Sequence, residues 1–146
     1  MTEEGMVEIL LVEDSAADAE MTIRALRKRN VSNRLTWVKD GVEAMDFIQC
    51  RGGFAGRSPT HPKLILLDIK MPRVNGIEVL RQLKGDPLTS TIPVVMLTSS
   101  AENRDLEECY RLGANSYLVK PVDFAAFSEV VSQTGLYWTV MNSVPR

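Results

Sequence analysis

Five short apolar runs constrain the fold of this chain more than anything else in it. Val7–Val12, Arg34–Val38, Lys63–Leu67, Pro93–Leu97 and Ser116–Val119 are four to six residues long and rich in Val, Ile and Leu. Each stops at polar residues: Glu13-Asp14, Lys39-Asp40, Asp68, Thr98-Ser99-Ser100 and Lys120-Pro121. Runs of this length that lack polar alternation predict strands covered on both faces, as in a parallel sheet. The second run is the least apolar, which suits an edge.

Helical spacing fills the gaps between the runs. Ala19, Thr22, Ile23 and Leu26 make one stripe behind Ser15, whose hydroxyl can cap the helix, with Asp18 in its positive first turn. Asp40 and Glu43 open a second stretch, Val42 to Ile48. Gly76 to Leu83 aligns Ile77, Leu80 and Leu83. Glu102 to Leu112 is mostly polar and closes at Gly113, a residue suited to a left-handed cap. Asp123 opens the last stretch, with Phe124, Phe127, Val130 and Val131 on its apolar side. A βα unit repeated five times, joined by right-handed crossovers, predicts an α/β fold in which a doubly wound, five-stranded parallel sheet is flanked by five helices. At 146 residues, one domain accounts for the chain. Cys50 to Pro62 and Asp86 to Pro93 are expected to be surface connections.

Composition removes several function classes. Seventeen Lys and Arg against nineteen Asp and Glu leave a net charge of -2, so there is no chain-wide basic field for nucleic acid. Cys50 and Cys109 are isolated and His61 is the only histidine, which argues against a structural zinc site. No apolar run approaches the roughly 18 residues that cross a bilayer, and MTEEGM lacks the basic region of a signal peptide. The expectation is a cytoplasmic protein with no membrane association.

In an open α/β sheet, ligands bind beyond the carboxyl ends of the strands. That edge would gather Glu13, Asp14, Asp68, Thr98 and Lys120, which are 54, 30 and 22 positions apart from Asp14 onward. Taken singly, each has an ordinary explanation: acids opening a helix, a threonine in a turn, a lysine on the surface. All of them at one edge are better explained by shared chemistry. Three close carboxylates without Cys or His call for a hard cation, Mg²⁺ first and Mn²⁺ second. Asp68 can act as a carboxylate nucleophile toward phosphorus, with Thr98 and Lys120 bonding phosphoryl oxygens. The first loop, Glu13 to Asp18, is acidic and has no glycine, so it cannot cradle a nucleotide phosphate.

The stretches ILLVEDS (Ile9–Ser15), LILLDIKMPRVNG (Leu64–Gly76), VVMLTSS (Val94–Ser100) and LGANSYLVKP (Leu112–Pro121) resemble the receiver domain of two-component response regulators over residues 7–134. The resemblance implies a flavodoxin-like (βα)5 fold in which Asp68 accepts a phosphoryl group from the phosphohistidine of a sensor histidine kinase. It implies that Glu13, Asp14, Asp68 and the backbone carbonyl of Lys70 hold Mg²⁺, and that Thr98 and Lys120 bind the phosphoryl group. It also implies a cis Lys120–Pro121 bond and a switch pairing Thr98 with Tyr117. Lys70 and Ser100 occupy the positions that tune dephosphorylation, and neither is an obvious base, so a phosphoryl group lasting minutes or longer is expected. The runner-up is an Mg²⁺-dependent phosphatase or phosphotransferase with an Asp nucleophile. It would need an acid-base carboxylate two positions after Asp68, where Lys70 stands.

Residues 131–141 carry no Lys or Arg and cannot form a helix-turn-helix, so direct DNA binding is not expected. Leu136, Tyr137, Trp138, Val140 and Met141 make an apolar extension over 135–146, which either folds back on the domain or associates with a second copy. This tail and the Cys50–Pro62 segment resemble stand-alone regulators paired with phytochrome-type kinases. That resemblance brings the expectation of a homodimer through the last helix and tail.

Overall fold

A computed structural model describes residues 8–27, 34–57 and 61–135. The elements alternate without exception: β1 (Glu8–Val12), α1 (Ala16–Arg27), β2 (Arg34–Val38), α2 (Gly41–Ile48), β3 (Leu64–Asp68), α3 (Gly76–Gly85), β4 (Val94–Thr98), α4 (Asp105–Leu112), β5 (Ser116–Val119) and α5 (Phe124–Gln133). All strand pairs are parallel, in the order β2-β1-β3-β4-β5. The order reverses after β1, so the β1 and β3 ends flank the crevice where such sheets bind ligands.

Side chains alternate along each strand and feed two cores. Leu10, Val12, Ile65, Leu67, Val94 and Met96 pack with α2, α3 and α4. Ile9, Leu11, Leu64, Leu66, Val95 and Leu97 face α1 and α5, which contribute Leu26, Phe127 and Val131. The continuous apolar runs of β1, β3 and β4 are therefore buried on both sides. The second strand lies at an edge, as its weaker hydrophobicity predicts.

Caps stop and start the helices as the sequence reading expects. Ser15 Oγ accepts from the Asp18 amide at 3.2 Å. Asp40 and Asp123 accept from the amides of Glu43 and Ala126, at 2.9 and 2.8 Å. Gly113 closes α4 with φ of 111°. The fourth helix starts at Asp105, three residues later than expected. Ser100 Oγ and Asn103 Oδ1 accept from the amides of Glu102 and Asp105, holding that segment in turns instead.

The two long connections are less superficial than expected. Residues Gly52–Phe54 form a short 3-10 turn, and Phe54 meets Phe47 of α2 edge-on with centroids 5.2 Å apart. Arg57 lies over the same Phe47 ring and donates to its carbonyl at 3.0 Å. In the second connection Thr89 is buried and its hydroxyl donates to the Leu83 carbonyl at 2.6 Å. The apolar extension at 136–146 lies outside the described residues.

Candidate functional site

Parallel pairing aligns the strand ends, and those of β1, β3, β4 and β5 deliver polar side chains to one crevice. Glu13 follows β1, where its amide bonds the Val38 carbonyl at 3.1 Å and its own carbonyl accepts from the Trp37 indole at 2.7 Å. Asp68 and Thr98 are the last residues of β3 and β4. Lys120 follows β5, tied to the Thr98 carbonyl at 2.8 Å and joined to Pro121 by a cis peptide. Beyond Asp68 the chain must turn sharply, and the Gly76 amide bonds the Ile69 carbonyl at 2.8 Å. A Cβ on Gly76 would lie 2.0 Å from the Asp68 carbonyl oxygen, so only glycine permits this closure.

The crevice is lined by Glu13, Asp14, Ser15, Asp18, Asp68, Ile69, Lys70, Thr98, Ser99, Asn103 and Lys120. It thus holds every site residue singled out in the sequence except Ser100 and Tyr117. Glu13 and Asp68 are buried and Asp14 is exposed, yet one oxygen of each lies within 4.8 Å of the others. Lys120 Nζ is 3.1 Å from Asp18, 3.2 Å from Glu13 and 3.4 Å from Asp68. Thr98 is turned toward its own loop: its hydroxyl donates to the Ser100 carbonyl at 3.0 Å and accepts from Asn103 Nδ2 at 3.2 Å.

These distances set the electrostatics. Burial and the facing Glu13 carboxylate push the Asp68 pKa from 3.8 to about 7, despite the opposing pull of Lys120. Burial works against the Lys120 ammonium, but Asp68, Asp18 and Glu13 outweigh it and raise its pKa. Such a carboxylate cluster suits a hard divalent cation. The oxygen-only donor set and its crowding fit Mg²⁺ or Mn²⁺.

Tyr117 stands apart from the crevice, half-buried against the core beneath α4. It meets Tyr110 of that helix edge-on, with ring centroids 6.4 Å apart. Sequence reasoning passed over two crevice residues, Asp18 and Asn103. The one signal at Asp18 was its place as an acid in the first turn of α1, which says nothing of Lys120. Asn103 gave none, since its contact with Thr98 depends on how the loop before α4 folds.

An acidic cation site and a strand-end aspartate at the switch point of a (βα)5 sheet define a class, the metal-assisted aspartyl phosphoacceptors. The chain matches the response regulator receiver domain over residues 9–132 and belongs to that family. It is 39% identical over 137 residues to a probable methanogenesis regulatory protein, FilR2, of Methanothrix harundinacea, covering 94% of this chain and 86% of that protein. It is 36% identical over the same length to the response regulator Rcp1 of Synechocystis, covering 94% and 92%. Among solved structures, the bacteriophytochrome response regulator AtBRR superposes with a TM-score of 0.87 at 42% identity, covering 94% of this chain and 99% of that one. The Mn²⁺-bound form of Rcp1 gives 0.73 at 34% identity, covering 95% and 97%. The protein is thus a phosphoacceptor of two-component signalling, similar to phytochrome-associated regulators. Among the described residues no helix is long and apolar enough to cross a membrane.

Proposed function

We propose that Asp68 is the phosphoacceptor and that this chain works as a stand-alone regulator, signalling through its own surface. The observation that carries the first part is the convergence of Glu13, Asp14, Lys120 and the buried Asp68 at one crevice. An Asp68 carboxylate oxygen attacks the phosphorus of a kinase phosphohistidine. The P–N bond breaks, and its electron pair leaves with the imidazole. Glu13, Asp14, Asp68 and the Lys70 carbonyl would hold Mg²⁺, or Mn²⁺, whose charge offsets that of the phosphoryl oxygens. Lys120 is already within 3.4 Å of Asp68 and takes one phosphoryl oxygen. Thr98 takes another by releasing Ser100 and Asn103, and Tyr117 is the residue that responds to that rotation.

The receiver spans 7–134 in this reading. The apolar extension over 135–146 joins α5 in a homodimer. The partner kinase is of the phytochrome type, which the name of the bacteriophytochrome regulator AtBRR supports. The protein works in the cytoplasm without direct DNA binding. The phosphatase alternative is disfavoured by Lys70, an exposed lysine on the crevice wall where an acid-base carboxylate would be needed. The test is incubation with Mg²⁺ and acetyl phosphate followed by intact-mass measurement. Wild type gains one acid-labile phosphoryl group and Asp68→Asn gains none. An unmodified wild-type chain overturns the reading.

A further inference from the structure

We propose that Asp18 is a positioning residue that competes with Asp68 for Lys120 and thereby restrains phosphorylation. The inference rests on Asp68 as the phosphoacceptor and adds a counterweight to it. Lys120 Nζ lies 3.1 Å from Asp18 Oδ2 but 3.4 Å from Asp68 Oδ2. Glu13 takes a third share of the same ammonium at 3.2 Å.

The placement of Asp18 is not accidental crowding. Its amide donates to Ser15 Oγ at 3.2 Å, which anchors the first turn of α1. The cis Lys120–Pro121 peptide lies against that turn, where Asp18, Met21, Thr22, Lys120 and Pro121 line one small cavity. Lys120 therefore reaches the crevice along α1 and passes Asp18 on its way. Glu13 and Asp68 belong to the acidic cluster that suits a cation, whereas the Asp18 side chain is 41% exposed and lies outside that cluster. Its carboxylate bonds the lysine that the phosphoryl group needs, so the two compete for one ammonium. Phosphorylation replaces the single charge of the Asp68 carboxylate with a phosphoryl group of about -1.5 to -2 and draws Lys120 inward, so the Asp18 bond is given up. Stability of that bond in the free protein counts against the phosphorylated one.

The test compares Asp18→Asn with wild type, using Mg²⁺ and acetyl phosphate. The acyl phosphate on Asp68 forms as the donor's P–O bond breaks and acetate leaves. Asp18→Asn is expected to phosphorylate about fivefold faster and to hold its phosphoryl group longer, the effect of losing one partly exposed ion pair. Asp18→Glu, which keeps the charge, is expected to stay near wild type. In a Lys120→Met background the Asp18→Asn effect is expected to vanish, because the path through the lysine is gone. Equal rates for Asp18→Asn and wild type overturn the proposal, as does an undiminished effect in the Lys120→Met background. Failure of wild type to take phosphate would instead overturn the phosphoacceptor reading itself.

Discussion

Asp40 and Asp68 each sit at the carboxyl end of a parallel strand, both nearly buried at 8% and 4% exposure, and the fold treats them in opposite ways. Burial alone would raise both. At Asp40 it is outweighed by the amides of Glu43 and Val42 and by the Arg73 guanidinium, so the carboxyl is held below its ordinary value. Arg73 reaches Asp40 from the loop after β3, in a left-handed conformation with φ of 64°. Asp68 faces Glu13 instead, and Lys120, the cation bonded to it, is shared with two other carboxylates. A buried aspartate whose bonds are complete is a structural brace. One left short of positive charge is poised for a cation and a phosphoryl group.

The largest effect that tests this contrast is at Asp68. Asp68→Asn abolishes phosphorylation and also relieves the crowding. Because the folded pKa of about 7 lies above the ordinary 3.8, the contribution of protonated Asp68 is fully present below about pH 4 and is lost as pH rises to about 7. In chelator, Asp68→Asn should therefore gain on wild type between those limits, by on the order of 2 kcal/mol at pH 8. Denaturant unfolding at several pH values checks it. A stability difference that ignores pH would break the contrast.

Cation binding should show the same proton. Mg²⁺ must displace it from Asp68, so affinity should fall as pH drops below about 7, approaching tenfold per pH unit. Calorimetric titration at pH 6 and 8 reads this, and equal affinities would contradict it.

Asp40→Ala removes a helix cap and the partner of Arg73, at a cost of about 1–2 kcal/mol near pH 7. The sign with pH is reversed here. A depressed folded pKa contributes stability above the ordinary value of 3.8, and that stability is lost as pH falls through the folded one. The gap between wild type and Asp40→Ala should close in acid, while phosphorylation of Asp68 survives the substitution. Loss of phosphorylation would make Asp40 a functional residue and erase the distinction.

The smallest effect expected on the site itself is that of Tyr117→Ala. Phosphorylation should proceed normally, but the response of β5 and α4 to it should weaken. Hydrogen exchange over 105–119, with and without phosphoryl group, measures that response. An undiminished change would remove Tyr117 from the switch.

Much of this site was legible because strand ends are legible. Continuous apolar runs identify β1, β3 and β4, and whatever polar residue follows must lie at the ligand edge. Glu13, Asp68, Thr98 and Lys120 were found in that way. The same logic does not separate Asp40 from Asp68, since each is an aspartate closing an apolar run. Asp18 and Asn103 were hidden for a different reason, as one depends on the path of Lys120 and the other on turns that shorten α4.

Local pattern was sufficient for the order of elements, the caps at Ser15, Asp40 and Asp123, and the chemical type of the crevice, because backbone hydrogen bonding and apolar periodicity act over a few residues. The protonation of two alike aspartates, the division of Lys120 among three carboxylates and the resting pose of Thr98 were decided by contacts between residues far apart in sequence. Electrostatic energies depend on distances of a few ångströms and on exclusion of water, and only the assembled strands supply both.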